Sequence, residues 1–199
     1  MSKTIKNCFD EKLTFINLYN AFYRISKENR NKDYILKAEV DIETIICNLE
    51  DKLRNGTYKP GKYNVFTIYE PKERVIKALP FQDRIVHQWY IEEFIKPYYK
   101  KRFIKDSYAC IEGRGAQLAV RNLQKYMRKM EYNNKNYYVL KCDIKKFFYN
   151  IDRDILYSIL SKVISDKKLL NLTKIILTDD EEKGIPIGNI LVSILLIYI

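Results

Sequence analysis

Apolar positions near the start of the chain recur every three or four residues, the spacing of a helix that buries one face. Phe15, Leu18, Phe22 and Ile25 form one such stripe, which predicts a helix over residues 12–28. Ile42, Ile45, Ile46, Leu49 and Leu53 form a second, over residues 40–55, stopped at Asn55-Gly56, where glycine can take the left-handed conformation that closes a helix. The period then changes. Residues 63–68 and 75–79 are rich in β-branched and aromatic side chains and flank Glu70-Pro71-Lys72-Glu73-Arg74, which predicts a hairpin across residues 63–79. Helical spacing returns with Ile85, Val86, Trp89, Ile91, Phe94 and Ile95, in a helix expected to end before Pro97. It returns again with Leu118, Val120, Leu123, Met127 and Met130. Residues 137–142 form an apolar, β-branched and aromatic run that reads as a short buried strand, with Asp143 at its exit. Two more helices follow, one on Ile155, Leu156, Ile159, Leu160 and Val163, the other on Leu169, Leu172, Ile175 and Ile176.

Composition narrows the class. With 199 residues, 47% of them hydrophobic, the chain can bury a core of one domain or two small ones. Its 36 Lys and Arg against 25 acidic residues leave a formal net charge of +11, spread along the chain. Such a field attracts polyanions, nucleic acid first among them, and 17 tyrosines and nine phenylalanines suit base stacking, although most of those rings are expected in the core. A membrane surface is the rival partner and is not expected. Four scattered cysteines and one histidine argue against a zinc site and for reduced thiols in a cytoplasm. No secretory signal is visible at residue 1, and the apolar run of residues 190–199 is too short to span a bilayer, which needs about 20 residues.

Several stretches carry candidate chemistry. A carboxylate at a strand exit presents its oxygens from a rigid backbone, as a metal site requires, and Phe148, five residues after Asp143, can wall the same pocket. Taken alone, the stretch fits equally a surface Asp followed by a solvated Lys145-Lys146 pair and two core rings. Lys72 and Arg74 share a face if the strand period holds, and a Lys beside an Arg can clamp a triphosphate; a solvated turn is the plainer reading. Arg114, between Gly113 and Gly115, suits a phosphate approached closely by backbone.

The order of these pieces resembles the bacterial reverse transcriptases, most closely those of diversity-generating elements and retrons. The matching stretches are Gly56-Thr57-Tyr58-Lys59-Pro60-Gly61, Glu70-Pro71-Lys72-Glu73-Arg74, Ala78-Leu79-Pro80-Phe81-Gln82-Asp83-Arg84-Ile85-Val86-His87-Gln88, Asp106-Ser107-Tyr108-Ala109-Cys110 with Gly113-Arg114-Gly115, the Asp143 stretch, and Gly184-Ile185-Pro186-Ile187-Gly188-Asn189. The resemblance covers residues 10 to 189. It implies an α+β fold, mostly helical, with fingers bearing a β-hairpin and the first part of a palm with a short sheet. The fingers and N-terminal helices would occupy residues 1–136 and a partial palm residues 137–199.

The resemblance also implies roles. Lys72 and Arg74 would grip the incoming deoxynucleoside triphosphate. Asp143 and the carbonyl of Ile144 would face Mg²⁺. Phe148 would exclude the ribose 2′-hydroxyl, and Gly188 would let the backbone lie against the nascent pair. The reaction would be two-metal nucleotidyl transfer on an RNA template with a DNA or RNA primer. One carboxylate cannot hold two ions. Relatives supply the others from a Tyr-x-Asp-Asp hairpin after the Gly188 motif, before which this chain stops; Asp179-Asp180 lies ahead of that motif and is a decoy. The chain alone is therefore expected to be inactive, with an accessory protein as one possible completion. The alternative is a non-catalytic RNA- or DNA-binding protein using its basic fingers. A frameshift near residue 190 is also expected: one choice of codons for residues 190–199, read from the third base, encodes Thr-Ser-Gln-Tyr-Phe-Ala-Asn-Ile-Tyr, the continuation that relatives carry.

Overall fold

Helices built on the predicted stripes converge on Trp89 and Phe94, and the rest of the molecule is arranged around that contact. The structure, a computed structural model, describes residues 5–27, 30–99, 104–109, 111–133, 136–178 and 184–185. Helix α2 (Phe15–Ser26) occupies the first predicted helical segment, and a short α1 (Phe9–Lys12) precedes it; the two are separated at Leu13-Thr14, where the Thr14 hydroxyl accepts from Asn17 N and caps α2. Helix α3 (Asp33–Val40) was not foreseen, and α4 (Ile42–Arg54) lies where expected, ending at Gly56 with φ +68°.

Strands β1 (Asn64–Ile68) and β2 (Arg74–Ala78) pair antiparallel, from Asn64 opposite Ala78 to Ile68 opposite Arg74. Helix α5 (Phe81–Tyr90) continues through a π-helical turn, Ile91–Ile95, into α6 (Lys96–Tyr99). Pro97 thus does not end the helix; it directly follows the π-helical turn, and the Glu93 carbonyl four residues back, which a prolyl nitrogen cannot bond, accepts from Lys12 Nζ at 2.7 Å. Helices α7 (Ala116–Asn133), α8 (Arg153–Val163) and α9 (Lys167–Leu177) complete the order.

The buried cluster draws on α1, α2, α4, α5, the π turn, α8 and α9. Phe9, Trp89 and Phe94 meet at ring-centroid distances of 5.6 and 5.2 Å along the Phe9–Trp89 and Trp89–Phe94 edges. Trp89 also donates from Nε1 to the Lys12 carbonyl at 3.0 Å, and the Tyr90 hydroxyl meets Thr173 Oγ1 at 2.7 Å. The N-terminal segment is held at its far end. Ile5 bridges Ile164 in parallel, and the buried Asp166 carboxylate accepts from Cys8 N and Phe9 N on Oδ2 and from Lys168 N and Leu169 N on Oδ1. One side chain therefore caps two helices whose sequence positions differ by more than 150 residues.

The strand predicted over residues 137–142 does not form. The hairpin is the one sheet among the described residues, and no backbone hydrogen bond joins residues 136–145 to a neighbour there. Tyr138 and Leu140 are 98% and 87% exposed. A β-strand is stable only when its N–H and C=O groups find a partner strand, and among the described residues none is in place beside this run. Helix α7 forms, yet buries none of its residues, and its apolar stripe is left partly open. No helix among the described residues is long and apolar enough to cross a membrane.

Candidate functional site

Two loops carry the basic hairpin, and one buried carboxylate aims them. Asp83, in the first turn of α5, accepts from the Tyr58 hydroxyl at 2.7 Å and from Gly61 N at 2.8 Å. A Cβ on Gly61 would come within 2.9 Å of Pro80 Cγ, so only glycine passes there without a shift. Burial, with Asp83 beside it, pushes the Tyr58 hydroxyl far above the usual tyrosine range, keeping it a donor. The hairpin thus leaves the core from one fixed root. Lys72 lies in its tip, Arg74 at the first ladder position of β2, and both side chains are exposed.

The Asp143 segment is shaped by its turn. Lys146 takes a left-handed conformation, φ 52°, and Asn150 Nδ2 donates to the carbonyls of Lys145 and Lys146, which closes the loop onto a 3₁₀ turn, Phe147–Asn150. Asp143 and Ile144 precede this turn in irregular, exposed chain rather than at a strand exit. Phe148 is half-buried, packs against the core, and meets Phe147 edge-on at 5.6 Å.

The same turn receives the glycine motif. Gly184 N donates to the Ile151 carbonyl at 3.1 Å, Ile185 N donates to the Phe148 carbonyl at 2.9 Å, and Arg153 Nε donates to the Gly184 carbonyl at 2.6 Å. Gly184 has φ +81°, and a Cβ there would sit 2.8 Å from the Tyr149 backbone, so conformation and space both demand glycine. The structure therefore brings the start of the 184–189 stretch onto Phe148. Gly188 itself lies outside the described residues, as do Asp179, Asp180 and residues 190–199.

No hydrogen bond or ion pair joins Asp143 to Lys72 or Arg74. Arg114 is employed within its own loop: its Nη1 donates to the carbonyls of Lys105 and Ser107 at 3.0 Å and of Ile104 at 3.4 Å. Among the described residues no cluster of three or more His, Cys, Asp or Glu side chains could hold a metal ion. Asp143 and the Ile144 carbonyl offer hard oxygens of the kind Mg²⁺ prefers, but fewer than octahedral coordination needs. Sequence reasoning missed Asp83, Asn150 and Arg153. Asp83 stood inside a quoted stretch, yet nothing local reveals a bond to Tyr58, 25 residues earlier.

No known family profile matches the chain. It is 28% identical over 125 residues to nuclear intron maturase 1, mitochondrial, of Arabidopsis thaliana, a match covering 62% of this chain and 16% of the maturase. Its fold matches chains from two solved structures, a partial Cas6-RT-Cas1–Cas2 complex and the Cas6-RT-Cas1–Cas2 complex, each with TM-score 0.57, 20% identity and 96% of this chain covered. The chain shares the fold of these RT-containing chains. It spans only a part of each protein it matches, 33% and 21% of the two structural neighbours. The mostly helical body and the two-stranded hairpin are the shared architecture, with the hairpin rooted at Asp83 and residues 184–185 joined to the Phe148 turn.

Proposed function

We propose that this chain is the fingers, with the adjoining part of the palm, of an RNA-directed DNA polymerase. The observation that carries the reading is the junction of the two motifs, in which residues 184–185 lie hydrogen-bonded along residues 148–151 directly after Asp143. That junction would set Phe148 beside the incoming sugar, with the approach to Gly188 on its other side. Lys72 and Arg74 would hold the triphosphate from the hairpin, Arg through a bidentate fork and Lys as a point charge. Asp143 and the Ile144 carbonyl would hold Mg²⁺, which when bound supplies charge neutralisation of the triphosphate and activation of the primer 3′-oxygen. Nucleic acid would lie on the basic surface, and the neighbours' place in a protein–protein complex supports an accessory partner. The finer assignment to the diversity-generating or retron type rests on Ile187-Gly188-Asn189, where intron-encoded enzymes typically carry Pro-Gln-Gly.

A second reading, nucleic-acid binding without catalysis, is favoured by the donor set: one exposed carboxylate and one carbonyl. Primer extension separates the two. With an RNA template, a DNA primer, deoxynucleotides and Mg²⁺, the 199-residue chain alone is expected to add no nucleotide, because Asp143 cannot position two ions. Template-dependent addition that vanishes in Asp143→Ala would mean that residues of this chain complete the metal site, and the donor count would be wrong.

A further inference from the structure

A ladder of aromatic rings crosses the N-terminal helices and comes to the surface beside Arg84. Tyr19 meets Phe22 at a centroid distance of 5.9 Å, Phe22 meets Phe81 at 5.8 Å, and Phe81 meets Tyr34 at 5.6 Å, which joins α2, α5 and α3 in turn. Phe22 is buried and Phe81 half-buried, while Tyr19 and Tyr34 at the two ends are exposed. The Arg84 guanidinium closes the ladder, its carbon 5.0 Å from the Tyr34 centroid and 5.5 Å from that of Phe81. Its neighbour Asp83 holds the hairpin root from another side of α5, about 100° round the helix, so none of the roles above uses Arg84.

Stacking alone holds this arginine. Among the described residues no carboxylate pairs with it and no group accepts from its guanidinium; Nε is covered without a partner, and the side chain as a whole is half-buried, with the terminal Nη groups left to solvent. Rings on Nε's side therefore fix the plane of the group and leave a two-pronged donor fork pointing outward, the arrangement that meets a carboxylate in one plane. Lys37, one turn on from Tyr34 on the same side of α3, is exposed and adds a second positive charge. The acidic residues of α3, Asp33 and Glu39, stand one and five positions from Tyr34 and so fall off that side. Successive rings from Tyr19 to Tyr34 are inclined at 47°, 85° and 60°, so they offer no common plane on which consecutive bases could stack. Separate rings at an angle, beside an oriented guanidinium, suit the side chains of a polypeptide.

We propose that Arg84, with Tyr34 and Lys37, is the docking point for an acidic segment of a partner polypeptide. A partner carboxylate meets the two Nη groups of Arg84 end-on, and an aromatic or aliphatic side chain beside it packs on Tyr34. An arginine already ordered against rings loses little freedom when the contact forms, which is how a single side chain comes to dominate an interface. The inference goes beyond the polymerase reading and stands whether or not Asp143 holds a metal ion.

The test is fluorescence anisotropy of the full chain with a labelled random copolymer of glutamate and tyrosine at 150 mM KCl. Arg84→Lys keeps the net charge and removes only the fork, and is expected to bind on the order of 10-fold more weakly. Tyr34→Ala should weaken binding in the same way, and Tyr34→Phe, which keeps the ring under the guanidinium, should not. Arg128→Lys on α7 makes the same exchange elsewhere and should bind as the unsubstituted chain does. Equal losses in Arg84→Lys and Arg128→Lys, or no loss in either, overturn the proposal, as does failure of the unsubstituted chain to bind the copolymer. Unlabelled oligouridylate that displaces the copolymer more strongly than unlabelled copolymer of equal charge would overturn it in favour of nucleic acid. Phenylglyoxal footprinting of the unsubstituted chain removes dependence on the variants: the copolymer should protect Arg84, and equal modification of Arg84 with and without it contradicts the proposal.

Discussion

Replacing both Lys72 and Arg74 with alanine is expected to weaken binding of a deoxynucleoside triphosphate with Mg²⁺ about 100-fold while leaving thermal stability unchanged. Both side chains are exposed at the hairpin tip, so their loss opens no cavity and strands no buried partner. Charge-assisted hydrogen bonds to a phosphate are the strong class, and two lost together remove a bidentate fork and a point charge. Lys72→Arg should keep most of the affinity. Arg74→Lys should lose part of it, because an ammonium cannot reproduce the planar fork. Calorimetric titration with a deoxynucleoside triphosphate reads both. Equal affinity in the double alanine variant would remove the hairpin from nucleotide binding and leave it as a solvated turn.

Asp166→Ala is expected to cost on the order of 3 kcal/mol of stability, the largest loss from any single polar side chain in the core. Four backbone N–H groups at 2.9 to 3.2 Å depend on its two oxygens, and two of them belong to the start of α1. Alanine leaves those donors without an acceptor in a place where water is largely excluded. Asp166→Asn keeps one carbonyl oxygen and should lose about half as much. Urea unfolding with a two-state fit measures this. A loss below about 1 kcal/mol for the alanine variant would mean that water replaces the carboxylate and that the N-terminal segment is not pinned there.

Much of the helical framework was legible because its signal is local. Leu18 and Phe22 on α2, Ile46, Leu49 and Leu53 on α4, and Leu169, Leu172 and Ile176 on α9 are buried as their spacing implied. The hairpin was legible for the same reason, with strands of β-branched residues on either side of a proline turn. What could not be read were bonds between distant positions. Asp166 looks like an ordinary N-cap of α9, and nothing near it reveals that its second oxygen holds Cys8 and Phe9. Asp83 is equally silent about Tyr58 and Gly61.

The run over residues 137–142 marks the opposite failure. Its composition favours a strand, but a strand is a property of a pair, and among the described residues none is hydrogen-bonded beside it. Asp143 consequently stands in irregular chain, while Phe148, five residues later, packs against the core and accepts from Ile185 N through its carbonyl. Arg114 teaches a related lesson. Glycines on both sides suggested a side chain free to meet phosphate, whereas its Nη1 holds together residues 104–107 of its own loop.

The central proposal, that this basic fingers-and-palm body engages nucleic acid through phosphates, is tested most directly by binding to a labelled RNA–DNA primer-template measured across salt concentration. The account predicts tight binding at 50 mM KCl and a straight log–log fall, with a slope of about −0.7 to −0.9 for each phosphate neutralised. Binding that is absent at 50 mM, or that does not change between 50 and 300 mM, would contradict it.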